Sequence, residues 1–208
     1  MARFSITKLE EARNNPSKFA ESLTSDSDNY YRYSKYMRWK NHAIKYHKED
    51  DPAGVLNSLS DKLFENYKTI QKDSDELHEY LNKLQNYIDN FVNSDLIFLE
   101  SRKRLRYSIG PNIDISGQIP IVALNSKAGY NLYFFDKESP DWQPELKYPF
   151  IQFYFADHVY SCNYSEISVG IYSLEEEEFQ FTTYSDNEIQ QALDELQEVG
   201  QKISNVIN

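Results

Sequence analysis

The hydrophobic period of this chain changes twice, and those changes restrict the layers it can build. From Leu56 to Phe91 apolar residues recur every three or four positions, from Leu105 to Phe134 every second position, and from Ile189 to Ile203 at helical spacing again. A period near 3.6 lines one stripe of a helix, and a period of two lines one face of a strand. A chain patterned in this way is expected to pack helices on a sheet, an α/β or α+β fold with a central mixed sheet flanked by helices. Its 208 residues suffice for one domain with a substantial core. We read residues 1–208 as a single domain, with a helical annex over 1–92 and a sheet-containing core plus C-terminal helix over 93–208.

Local signals refine this. Thr7 with Glu10 predicts a capping box, and Asn15-Pro16 a short second helix through Leu23. Asp51-Pro52 opens a helix carrying Leu56, Leu59, Leu63, Tyr67 and Ile70. Asp75 to Val92 carries Leu77, Tyr80, Leu81, Leu84, Ile88 and Phe91 on one stripe. The short Gln71 to Ser74 link between them predicts an antiparallel helical hairpin. Strands are expected around Leu105, Tyr107 and Ile109, around Ile113 and Ile115, along Ile119, Ile121 and Ala123, and along Leu132 and Phe134, with a tight turn over Ser126 to Gly129. A loop rich in proline follows over 138–149. A hairpin pairs Ile167–Leu174 with Phe179–Tyr184, and Ser185 with Glu188 caps the last helix.

The composition narrows the function classes. A net charge of −11 argues against a surface that binds nucleic acid over most of its extent. The lone Cys162 excludes an internal disulfide and a Cys-based zinc site, which suits a reducing compartment and cytoplasmic localisation. No run of 18 apolar residues is present, so no membrane association is expected. The four histidines, at 42, 47, 78 and 158, have no metal-ligand spacing, and no metal or other cofactor is expected.

The stretch Arg104 to Ala156 carries the chain's strongest resemblance. It holds a Gly117 to Ile119 G-x-I step, the strand YNLYFFDK ending on Lys137, and YPFIQFYFA containing Gln152. This order resembles the RecB-like branch of the PD-(D/E)XK nuclease superfamily, whose core reads strand with G-x-I-D, strand with (D/E)-x-K, then helix with Gln. The N-terminal Ser5 to Leu9 spacing, Pro16 with Phe19, and VLNSLSDKLFENY over 55–67 are similar to further family elements, with Asp61 in the place of a histidine and Glu65 in that of a glutamate. The resemblance implies a restriction-endonuclease-like core with a helical N-terminal annex, places residues 150–160 in the Gln helix, and implies descent from enzymes that cut DNA with Mg²⁺.

The acids of that site are missing. Pro120 replaces the G-x-I-D aspartate and Phe135 stands two residues before Lys137. Asp136 points to the opposite face of its strand, and Asp114, six residues before Pro120, would lie about 20 Å along the strand. A Mg²⁺ site needs carboxylate oxygens within about 2.1 Å of the ion, so the expected protein is a catalytically inactive, nuclease-like accessory or binding module in nucleic-acid processing, defence or a phage assembly. Lys137, Gln152 and Glu65 are its vestigial site residues. Each also has a plainer reading: a solvated strand-end lysine, a glutamine satisfying backbone, and a surface ion pair. Alternatives are an active Mg²⁺ nuclease recruiting Glu65, Asp136 or Asp157, and a purely structural assembly subunit.

Two further segments suggest partners. Tyr30 to Lys48 holds six of the chain's 22 Lys and Arg and none of its 33 acids. Arg38, Lys40 and Lys45 beside Trp39 suit phosphate contact and base stacking. They equally suit a helix that docks its aromatic face on the core, with its cations in water or paired to an acidic neighbour such as Glu175 to Glu178. The run Tyr148 to Tyr164 has more large apolar side chains than one helical face can bury, so a protein partner or self-association is expected there, or burial of both faces.

Overall fold

The computed structural model describes residues 2–24, 34–64, 71–127, 129–138 and 141–207, the side chains of residue 24 and residues 71–74 excepted. In chain order the elements are β1 (Ala2–Ser5), α1 (Leu9–Asn14), α2 (Pro16–Thr24), α3 (Lys35–Glu49), α4 (Pro52–Phe64), α5 (Gln71–Asn93), β2 (Ile97–Gly110), β3 (Ile113–Leu124), β4 (Tyr130–Asp136), α6 (Lys147–Phe155), β5 (Ile167–Ser173), β6 (Glu178–Thr182) and α7 (Asp186–Ile207). The fold is mixed α/β, a central mixed sheet flanked by helices.

Strands β2, β3 and β4 form an antiparallel meander, β5 runs parallel to β4 after the α6 crossover, and β6 closes the far edge antiparallel to β5. Strand β3 is shared unevenly. β2 pairs along one side of it, while the other side takes β1, parallel, at Ile113 to Ser116 and β4 at Ile121 to Leu124. Gly117 to Pro120 lies between those two partners. The ladder to β2 also passes over the Arg102/Pro120 step, where Arg102 has a left-handed backbone with φ of 55°. A proline, with no N–H to give, is tolerated in an interior strand where the ladder is interrupted.

That interruption changes which face β3 presents. Ile113, Ile115 and Ile119 pack into the layer formed with α1, α2, α6 and α7, but Ile121 and Ala123 pack into the layer formed with α3, α4 and α5. The strict alternation expected for Ile119, Ile121 and Ala123 is therefore broken, because the backbone turns at Pro120 opposite Arg102. β4 alternates regularly, with Leu132 and Phe134 on the first face and Tyr133 and Phe135 on the second. All four are buried. The sheet centre is thus covered on both sides, which explains its near-continuous apolar sequence.

Several local expectations change in the fold. Ser5, rather than Thr7, receives the first helical N–H, at 3.3 Å, and Glu10 instead accepts the Leu146 N–H at 2.6 Å. The Gln71 to Ser74 link is the first turn of α5. Tyr67 and Ile70 lie outside the described residues. α6 begins at Lys147, inside the expected loop, and Ala156–Tyr160 continues it as one wider turn. The Ser185/Glu188 box forms as expected, the Glu188 carboxylate accepting the Ser185 N–H at 2.8 Å.

Helix α3 docks through aromatics. Trp39 is fully buried, edge-on to Phe135 at 5.2 Å and to Tyr87 at 5.8 Å, and stacked near Tyr172 at 6.3 Å between ring centroids. Its indole N–H has no partner among the described residues, so packing holds it. Lower on the same helix, His47 Nε2 and the Tyr87 hydroxyl are 2.5 Å apart, and the Tyr87 and Tyr133 hydroxyls 2.9 Å. Burial pushes the His47 imidazole down to about 3.

Two predictions follow from this layer. Trp39→Ala lowers stability by about 3–5 kcal/mol, the usual cost of truncating a buried aromatic, and Lys48→Glu on the exposed side of α3 by less than about 0.5 kcal/mol; urea unfolding midpoints measure both. His47 is neutral in the fold and binds a proton more readily once unfolded, so its contribution to stability falls as pH drops from its ordinary value of 6.5 towards about 3. The slope difference between wild type and His47→Gln in that window approaches about 1.4 kcal/mol per pH unit. Chemical denaturation at pH 7, 6 and 5 checks it, and equal slopes in the two proteins contradict a neutral buried imidazole.

Candidate functional site

The residues expected from the nuclease resemblance end up in different environments. Phe135, two residues before Lys137, is buried against Trp39 and Tyr87, and its carbonyl accepts the Tyr36 hydroxyl at 2.6 Å. Lys137 follows β4 on the exposed surface. Gln152 is fully buried and acts as a backbone tie. Its Nε2 donates to the carbonyls of Tyr164 and Tyr184, both at 3.0 Å, and its Oε1 accepts the Tyr184 N–H at 2.8 Å. A side-chain amide can bridge two loops in this way because it offers both donors and an acceptor. Glu65 lies outside the described residues.

The other acids do not assemble either. Asp136 accepts the Glu138 N–H at 3.0 Å beside Lys137. Asp157 is exposed, 3.6 Å from His158, and lines a separate cleft with Cys162, Tyr164 and Asp186. Among the described residues no group of three or more His, Cys, Asp or Glu is arranged to hold a metal ion.

Residues 34–48 of the basic segment are built into the annex, and residues 30–33 lie outside the described residues. Trp39 is interior, so its ring is not available for stacking on a base. The Arg38 guanidinium donates to the Lys62 carbonyl, and Lys45 Nζ is 3.3 Å from Glu49 and 3.5 Å from Ser58 Oγ. The Lys40 amine is half-buried and its pKa is pushed down by that burial; Lys147 and Arg102 act in the same direction and Asp136 opposes them. His42 is buried, with Nδ1 2.7 Å from the Arg38 carbonyl and Nε2 3.3 Å from Ser58 Oγ. Acidic partners on this side include Glu49 for Lys45 and Glu76, 2.5 Å from Lys35, while Glu177 binds Asn86 at 2.7 Å.

The aromatic run of α6 lies between the sheet and α7. Tyr148, Phe150, Ile151 and Phe155 are buried, and Phe153 and Tyr154 are half-buried against the same core. The surplus expected at an interface is largely internal, because both faces of α6 are covered.

One feature escaped the sequence reading. Before the Pro120 turn, the face of β3 that continues from the annex side is polar, and its Ser116 and Gln118 lie at an open cleft among the described residues. Arg106 pairs with Ser116, Arg104 with Gln118, Ser5 with Ser116 and Arg3 with Asp114, so all these side chains share that face. Arg3, Ser5, Arg104, Arg106, Ser116 and Gln118, together with Gly117 and Tyr154, line a cleft of about 770 Å³. Beneath it Asp114 is almost fully buried, with Oδ2 2.6 Å from an Arg106 Nη, 2.7 Å from Arg106 Nε and 4.0 Å from Arg3. The available signal was Arg104-x-Arg106, two cations at strand spacing within an apolar alternation. Only the pairing register adds Arg3, about 100 residues distant in the chain.

The chain's helices include none that is long and apolar enough to cross a membrane, among the described residues. No family model and no curated protein matches the chain. Ten chains of solved structures match it. One, described as the crystal structure of SSO0001, is 8% identical over 91% of this chain and 83% of its own, with a TM-score of 0.26, a likeness too slight to carry an argument.

Proposed function

We propose that this protein is a non-cleaving, nuclease-like accessory module that works by binding a macromolecular partner. The observation that carries the reading is Phe135. At the position where a PD-(D/E)XK core needs a metal-binding carboxylate, the side chain is a phenyl ring locked under Trp39, with no room for a solvated ion. The element order also supports descent from such a core: an antiparallel β2–β3–β4 meander carrying the G-x-I step and the lysine, then α6 with Gln152, then a parallel β5. The retained glutamine has a folding role instead, tying the Tyr164 and Tyr184 backbones. Without a carboxylate pair, neither a Lewis acid nor a metal-bound hydroxide has a place to form on these residues. A binding surface is then the remaining source of function.

The test is a nuclease assay on purified protein with single- and double-stranded DNA in Mg²⁺ and in Mn²⁺. No cleavage above a protein-free blank is expected, and Lys137→Ala should behave as wild type. Metal-dependent cutting that disappears in Lys137→Ala overturns the proposal and favours recruited acids.

A further inference from the structure

We infer that the open arginine cleft on the β1–β3–β2 face binds the phosphate backbone of a single-stranded nucleic acid. The inference gives the partner of the proposed binding role a chemistry and rests on that role for its setting; the surface itself is argued from charge and geometry.

Three guanidinium groups, those of Arg3, Arg104 and Arg106, line the cleft, and no acid does. The carboxylate beneath, Asp114, is committed to Arg106 and to the more distant Arg3. Arg104 is exposed and has no acidic partner within ion-pair distance among the described residues. One buried anion against three cations leaves an excess of positive charge on one face of a chain whose net charge is −11. Such a patch draws a polyanion to that face while the remaining surface repels it.

The spacing favours an extended ligand over a single phosphate. Arg104 and Arg106 stand two residues apart, about 7 Å along β2, and Arg3 lies two strand spacings away, about 10 Å across the sheet. One phosphate does not reach all three, whereas successive phosphates of a strand do. Ser5, Ser116 and Gln118 add neutral hydrogen-bonding groups between the cations, and Tyr154 places a half-buried ring at the rim, its hydroxyl accepting the Arg106 N–H at 3.4 Å. A cationic groove with an aromatic at its side is the general arrangement for single strands. A duplex covers more surface and meets the acidic remainder of the protein. The Tyr154 ring itself packs on Tyr107, Phe150 and Phe155, so what it offers at the rim is its hydroxyl.

The experiment is fluorescence anisotropy of a labelled oligo-dT of about 12 nucleotides with the intact chain in EDTA, over a KCl series. EDTA keeps binding separate from cleavage, so failure here leaves the nuclease assay's answer standing, and the converse. Three phosphate contacts predict that log K falls against log salt with a slope of about −2. Arg104→Glu should weaken binding about tenfold or more and flatten the slope by at least about 0.7. Lys48→Glu, the same charge change on α3, should alter affinity less than about twofold. Arg104→Gln, which removes charge without adding any, should show a smaller loss in the same direction, and a thermal melt confirms that each variant is folded. The inference is overturned by no saturable binding at about 50 mM salt, by equal losses in Arg104→Glu and Lys48→Glu, by unchanged affinity in Arg104→Glu, or by stronger competition from duplex DNA or poly-glutamate than from unlabelled oligo-dT.

Discussion

A sheet whose central strands are apolar on both faces must be covered on both, and the insertion of Trp39 is how the second face is covered. Tyr133, Phe135 and Tyr172 point away from α6 and α7, and without α3 and α5 over them these rings would lie in water. Trp39 fills the space between Phe135, Tyr87 and Tyr172, so a single indole joins α3, α5, β4 and β5. The hydroxyls taken inside with these rings are tied in a chain, Tyr87 to His47 and to Tyr133, and Tyr172 to Asn90. A buried hydroxyl left without a partner carries a desolvation penalty that such a chain of contacts avoids.

The same packing leaves no place for a metal-binding carboxylate at position 135. A carboxylate at position 135 would have to sit under Trp39 without water, where an unpaired charge is strongly disfavoured. A phenyl ring there stabilises the annex. The position cannot serve both purposes, and once α3 is docked the ring is the compatible choice.

The Pro120/Arg102 interruption divides the sheet into a covered and an open region. Beyond Pro120, β3 presents Ile121 and Ala123 to the annex; before it, the corresponding face is polar and carries Asp114, Ser116 and Gln118. The helices on the other side run the full length, and α7 approaches β2 closely enough that a Cβ on Gly200 would lie 2.1 Å from the Ile109 carbonyl oxygen. Glycine is needed there for the close approach of helix and strand. One side of the sheet is therefore continuous core, and the other is core for part of its area and arginine-lined cleft for the rest.

The periodicity of the chain determined most of its elements. The stripe from Leu77 to Phe91, the β5–β6 hairpin and the Ser185/Glu188 cap are local features, set by residues a few positions apart, and they occur where the pattern places them. Tyr87, three residues after Leu84 and four before Phe91, belongs to the edge of the same stripe and is fully buried. The absence of a carboxylate two residues before Lys137 was also legible, since a missing side chain needs no fold to be noticed. The environment of the polar residues was decided by tertiary structure: Gln152 ties two loops, and residues 35–48 form a docked helix with its tryptophan inside. The arginine cleft belongs wholly to that second category. Arg3 reaches Arg104 and Arg106 only through the parallel pairing of β1 with β3, and the face they share is open only because the strand turns at Pro120; both are long-range consequences of strand register, which the spacing of residues along the chain does not encode.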